Sequence, residues 1–248
     1  MRNILAIAGK ELRSLFVSPI AYVVLTVWLL FYGIMLFVLA MSFSMQPTGA
    51  ATNFLEAFFG GTALFWLPLL VFAPVLTMRL LAEERASGNI EPLLTAPISE
   101  VEIVLGKYLA AMIFWVVLWL PTLSYVWLAS ETGEDVVDYG AIGATYLGLF
   151  CMGAFYMAVG LFMSAVARNQ IVAAVLTFAV IGLTFLAGVV SLFALDDQWR
   201  GFFEYIGLWT QMGAFSKGIV DTRFLVYDLS VAGVALYLSV RVLQANRW

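Results

Sequence analysis

An all-α integral membrane domain is what the sequence predicts. It has six transmembrane helices, an amphipathic interfacial helix before the first and a short free helix between the second and third. Re-entrant or interfacial helices lie between the fifth and sixth. Three observations carry this. Of 248 residues, 63% are hydrophobic and only 11% charged, whereas soluble domains are roughly half apolar and a quarter charged. The charges gather in short clusters and leave long charge-free runs, and about 20 apolar residues cross about 30 Å of hydrocarbon as a helix. Those runs are solidly apolar rather than alternating, which excludes a membrane barrel and leaves a helical bundle. Without a repeat, a low-complexity tract or a soluble portion, residues 1–248 read as a single membrane domain.

The elements follow in chain order. Residues 2–16 suit an amphipathic helix within an N-terminal segment 1–18. At about 100° per residue, Ile4, Leu5, Ala8, Leu12, Leu15 and Phe16 share one arc and Arg2, Asn3, Lys10, Arg13 and Ser14 the other. Such a helix lies in the interface plane with its basic groups toward headgroups. No small-residue cleavage site follows, so the start reads as an uncleaved anchor. Spans are expected at about 20–44, 60–81, 104–129, 140–167, 170–195 and 224–243. Asp228 lies inside the last, one turn in, where it reaches the interface or a neighbouring helix; contact with a substrate is the alternative. Pro68, Pro74 and Pro121 kink spans two and three, as static curvature or as hinges. Gly153, Ala154 and Ala158 allow close helix contact in span four.

Lys and Arg set the orientation. Arg2, Lys10 and Arg13, then Arg79, Arg85 and Lys107, then Arg168, then Arg241 and Arg247 alternate with connections 45–59 and 130–139, which contain acids only. Both termini are therefore expected in the cytoplasm. The fifth connection, 196–223, departs from the pattern with Arg200, Lys217 and Arg223, offset by acids. Its Trp199, Phe202, Phe203, Tyr205 and Trp209 suit headgroup depth on the outer side.

The segment 82–103 is longer than a simple reversal needs. Ser87-Gly88-Asn89 stops one helix, with Gly88 fit for a left-handed end. Asn89 caps a short helix over about 90–95, where Pro92 is tolerated in the first turn. Pro97 ends it, and Ser99 with Glu102 forms a capping box that opens span three. Ile90, Leu93 and Leu94 need a cover, either the membrane surface or a groove on a soluble partner.

Composition removes several chemistries. The chain has no histidine and one cysteine, Cys151. His-based acid/base catalysis, most zinc sites and an intrachain disulfide are excluded, and Cys151 reads as a packing residue. An intramembrane protease built on Glu83-Glu84-Arg85 would also need histidine. A channel or secondary transporter would carry ionisable groups at mid-membrane, and spans one to five have none. No G-x-x-x-x-G-K-[ST] phosphate loop is present.

The stretch from Glu83 to Ala110 resembles the signature of ABC-2 type ABC-transporter permeases. The likeness lies in Glu84, Gly88, Glu91, Leu93, Leu94, Pro97, Glu102, Val104, Gly106 and Lys107. A second stretch, with Phe215, Gly218, Asp221, Arg223 and Tyr227, resembles the gliding-motility-type branch of that family. Pro92 and Lys217 depart from the pattern, which has Leu and Arg there. The resemblance implies the membrane subunit of an ATP-driven exporter; the alternative is a non-transporting subunit that passes ATPase-driven motion to an envelope machine. It implies that 90–95 is a coupling helix docking an ATPase subunit through Asn89, Ile90, Glu91, Leu93, Leu94 and Thr95, supported by Glu83, Glu84 and Arg85. Lys217, Asp221 and Arg223 fall in the external re-entrant segment. No cofactor is implied in this chain, since ATP and Mg belong to the partner ATPase. The implied partners are two ATPase copies, a second permease subunit (identical or homologous) and the lipid bilayer, with room for an auxiliary periplasmic or membrane protein and no nucleic acid. The implied location is the bacterial inner membrane.

Overall fold

The computed structural model describes residues 2–45, 54–86, 98–130, 138–191, 193 and 196–245. Among them the chain is helical throughout: α1 (Arg2–Val17), α2 (Pro19–Met45), α3 (Phe54–Phe58), α4 (Ala63–Thr77), α5 (Ala82–Ala86), α6 (Glu100–Trp119), α7 (Thr122–Ser130), α8 (Tyr139–Val166), α9 (Gln170–Ser191), α10 (Asp197–Ile206), α11 (Leu208–Ser216) and α12 (Thr222–Ala245). Five stretches are long and apolar enough to cross a membrane: Pro19–Ser42, Glu100–Leu128, Tyr139–Val166, Gln170–Ser191 and Thr222–Ala245. These make the chain a multi-pass membrane protein.

The span expected at 60–81 takes a different form. Its helix, α4, has 15 residues, about 22 Å at 1.5 Å per residue, shorter than the hydrocarbon layer. Gly60, at φ +109°, turns the chain before it. Behind it, Met78–Leu81 form a turn. Ser164 of α8 fastens that turn: its Oγ accepts from the N–H of Leu81 (3.0 Å) and Ala82 (2.9 Å) and donates to the carbonyl of Met78 (3.1 Å). A hydroxyl on another helix thus satisfies backbone groups that a broken helix would strand in an apolar setting.

The most enclosed helix is α8, and its glycines are sockets. A Cβ on Gly148 would lie 2.7 Å from the Phe215 ring, and Cβ atoms on Gly153 and Gly160 would overlap Trp115 and Thr77. Lipid supplies no hydrophobic drive between helices, so close approach at small residues takes its place. Gly153, Ala154 and Ala158 are spent on this packing inside the chain, and Cys151 is a buried packing residue. On the far side of Trp115 lies an aromatic core of Trp28, Tyr32, Phe59, Phe65 and Trp119, with Trp28 and Trp119 edge to face at 4.9 Å. Pro68 and Pro74 are buried within α4, and Pro121 separates α6 from α7.

Contacts assign the two ends of the bundle. At the C-terminal end of α8, Ser164 meets the α4–α5 turn. At its N-terminal end, Ala141 meets Gly218 and Thr145 Oγ1 donates to the carbonyl of Phe215 at 3.4 Å. Lys217 pairs there with Glu56 at 3.0 Å. The first and fifth connections therefore share one end, and α1, α5 and the start of α6 share the other.

Overfilling a socket should cost about 1–3 kcal/mol. Gly160→Val is expected to lower the thermal midpoint of the detergent-solubilised protein, followed by size-exclusion chromatography after heating. Gly143→Ala, with nothing within 4 Å of the added methyl, is expected to leave it unchanged or raise it.

Candidate functional site at the roots of the insert

The insert between α5 and α6 has two roots, and one lysine holds both. Lys107 lies in the third turn of α6 with its side chain 2% exposed. Its Nζ donates to Glu84 Oε1 of α5 and to Glu11 Oε1 of α1, each at 2.8 Å. An ammonium in an apolar helix carries a desolvation penalty that only close anions offset. The two carboxylates, 18% and 19% exposed, reach it from separate segments. Neighbouring Gly106 makes room: a Cβ there would sit 2.7 Å from Ile7 Cγ2 and 3.1 Å from the Ile4 carbonyl. Without a side chain at 106, α1 packs directly along α6.

The second root opens as the sequence predicts. Ser99 caps α6, accepting from Glu102 N at 3.3 Å, while Glu102 Oε2 accepts from Ser99 N at 3.1 Å. Asn3 Nδ2 of α1 donates to the other Glu102 oxygen at 3.1 Å. The first root is held at three points. Glu84 meets Lys107. Arg79 Nε donates to Glu83 at 2.7 Å. Arg85 Nη1 reaches the carbonyls of Val166 and Ala167, both at 3.5 Å, and burial lowers its pKa.

Of the docking residues that the resemblance implies, Glu83, Glu84 and Arg85 lie here, each engaged within the chain. Asn89, Ile90, Glu91, Leu93, Leu94 and Thr95 lie outside the described residues, as do Gly88, Pro92 and Pro97. The signature residues that are described, Glu84, Glu102, Val104, Gly106 and Lys107, gather where α1, α5 and α6 meet. Glu11 and Ser164 are absent from the sequence reading. A helical wheel could have found Glu11, because it falls among Ile4, Ala8 and Leu15 on the packing face. Two placements on that wheel change. Asn3 turns inward to Glu102, and Leu5 is 65% exposed, because the face of α1 is set by α6 and centres on Ile7 and Glu11.

The charged residues of the connection 196–223 are paired as well. Asp221 accepts from Arg223 N at 2.9 Å, opening α12, and Arg223 grips its carboxylate at 2.7 and 3.0 Å. That grip lowers the Asp221 pKa. Arg200 pairs with Glu204 and Lys217 with Glu56, so every basic residue of this connection has an acid. Gly218, at φ +82°, ends α11 in a Schellman turn, with Ile219 N bonded to Ala214 O and Gly218 N to Phe215 O. Trp199 and Phe202 are exposed. Trp209 instead stacks on Trp66 inside the bundle at 5.9 Å.

Removing the ammonium alone leaves two facing carboxylates. Breaking a buried pair costs roughly 3–5 kcal/mol, and partial hydration of both acids points to the lower end. Lys107→Met is expected to lower the thermal midpoint of the purified protein markedly. Adding Glu11→Gln and Glu84→Gln should recover much of the loss, since an uncharged cluster has nothing left unpaired. A triple variant as unstable as Lys107→Met would refute the ion-pair account.

No curated protein matches the chain. The family model described as ABC-2 family transporter protein matches residues 5–214, a region that holds most of α1, as well as Glu84, Glu102, Lys107 and Ser164. The chain belongs to the ABC-2 transporter family.

Proposed function

We propose that the chain is the transmembrane permease subunit of an ATP-driven exporter in the bacterial inner membrane, with α1 and both termini on the cytoplasmic side. ATP and Mg bind a separate ATPase subunit, present in two copies, and a second permease copy or homologue completes the pathway. The segment 82–103 carries the coupling helix, 1–18 the interfacial helix and 196–223 an external re-entrant segment. In this reading α4 and the Met78–Leu81 turn together make a sixth crossing.

One observation supports this reading above the others: Glu84 and Lys107 join the two roots of the insert to each other and to α1. A lever hinged independently at each root would bend when pushed. A lever whose roots share a buried ion pair passes displacement to α6, to α1 and, through Ser164, to α8. Coupling by rigid elements of this kind is a common route for transmitting a partner's closure. The gliding-motility-type branch is part of the proposal; it rests on Phe215, Gly218, Asp221, Arg223 and Tyr227, beyond the end of the family match at 214.

The test is assembly. Leu94→Asp is expected to abolish co-purification with the cognate ATPase while the permease still inserts in the membrane; unchanged co-purification would remove the coupling role. Asp221→Asn and Arg223→Gln, at the opposite end, are expected to leave docking intact, and loss of docking would overturn the assigned sidedness. Substrate-stimulated ATPase activity of the complex in liposomes then tests transport itself.

A further inference from the structure

Asp228 of α12 lies 1% exposed between helices, and its Oδ1 has no partner among the described residues. The cavity it faces is walled by Gly148 and Met152 of α8 and by Leu208, Gln211, Met212 and Phe215 of α11, and it has no room for a water molecule. Among the described residues, the groups turned toward this acid carry no positive charge. Cys151 and Tyr156 of α8 and Tyr227 beside it on α12 lie within electrostatic reach. The Tyr156 hydroxyl, 0% exposed, has no partner among the described residues either. From α10, Tyr205 packs on Tyr227 at 5.3 Å. From α6, Tyr108 donates to the Ala154 carbonyl, and from α11 the Gln211 amide donates to the Tyr205 carbonyl. The cations of the surrounding segments have other acids: Lys107 holds Glu84 and Glu11, Lys217 holds Glu56 and Arg223 holds Asp221.

We propose that Asp228 is a proton-binding site, its carboxyl carried as the neutral acid beneath α11. An ionised carboxylate in an apolar setting needs a cation or several donors, and without them it takes up a proton instead. A proton needs no volume, so it suits a cavity that excludes water. The cover over the site is α11, bounded by Gly207 and by Gly218 at φ +82°. Displacing α11 would hydrate the carboxyl, which then gives its proton to the water; reseating α11 takes a proton back. Proton occupancy and the seating of α11 are therefore linked, and rising pH favours the displaced helix. The proposal rests on packing within the chain. It holds whichever side of the membrane α11 faces, and it needs neither the coupling helix nor the ATPase.

Infrared spectroscopy of the purified full-length chain in detergent reads the carboxyl directly. At neutral pH wild type is expected to show a carboxylic-acid C=O band that D228N removes and D228E shifts. Thermal midpoints read the linkage. A proton kept by the folded chain and released by the unfolded one makes stability fall as pH rises above the ordinary carboxylate range. Wild type is therefore expected to lose on the order of 3–5 °C per pH unit relative to D228N, whose amide does not titrate, until the folded site itself ionises. Should D228N not fold, wild type and D228E decide, because aspartic and glutamic acids absorb at different frequencies. A wild-type spectrum without the band, a band unmoved by both variants, or a midpoint difference from D228N that stays constant with pH would each overturn the proposal. A carboxylate neutralised by a bound metal cation would also lack the band, and would overturn it too.

Discussion

A lysine ammonium has been placed where water barely reaches, about two turns into a mostly apolar helix. Much of the architecture at that end answers to this constraint. The charge is tolerable only with anions at hydrogen-bond distance. Glu84 and Glu11 provide them from two separate segments earlier in the chain. To bring Glu11 close, α1 must lie against α6 without an intervening side chain, hence Gly106. To bring Glu84 close, the helix preceding the insert must stop and turn, hence the break after Thr77. Asn3 on Glu102 and the Ser99 capping box fix the same contact from the other root.

That break shows how an apolar environment handles an interrupted helix. The backbone groups freed at Met78–Leu81 have no water to turn to, and Ser164 serves them from α8. One turn earlier on α8, Gly160 admits Thr77, whose own hydroxyl donates to the Ala73 carbonyl at 2.8 Å. As a result α5 is fastened to α8 and α6 rather than continuing α4. The long, enclosed α8 receives Phe215, Trp115 and Thr77 at successive glycines, and so ties both ends of the bundle to one rod.

Asp228 belongs to the same rod's surroundings. It is 1% exposed and faces a small cavity lined by Gly148, Met152, Gln211 and Phe215. Of the two plain readings of an acid one turn into a span, the neighbouring helices rather than the interface receive it. Its Oδ1 has no partner among the described residues.

What the sequence determined by itself is whatever depends on neighbours along the chain. Charge-free runs gave the long spans, and hydroxyl and acid three residues apart gave the α6 capping box. These are local: a backbone group finds its partner within a turn. The tertiary structure decided which distant groups meet. Lys107 could be read from sequence as a basic residue near a span end and as part of the signature, but not with the acids that hold it, and Glu11 was lost among its apolar neighbours. Trp209 reads as an interfacial aromatic until Trp66 and Phe185 are seen to take it in. Nor could 60–81 be divided beforehand, because the Ser164 that makes the break tolerable lies more than 80 residues away. Local pattern states what a segment needs; only the packed bundle shows which partner supplies it.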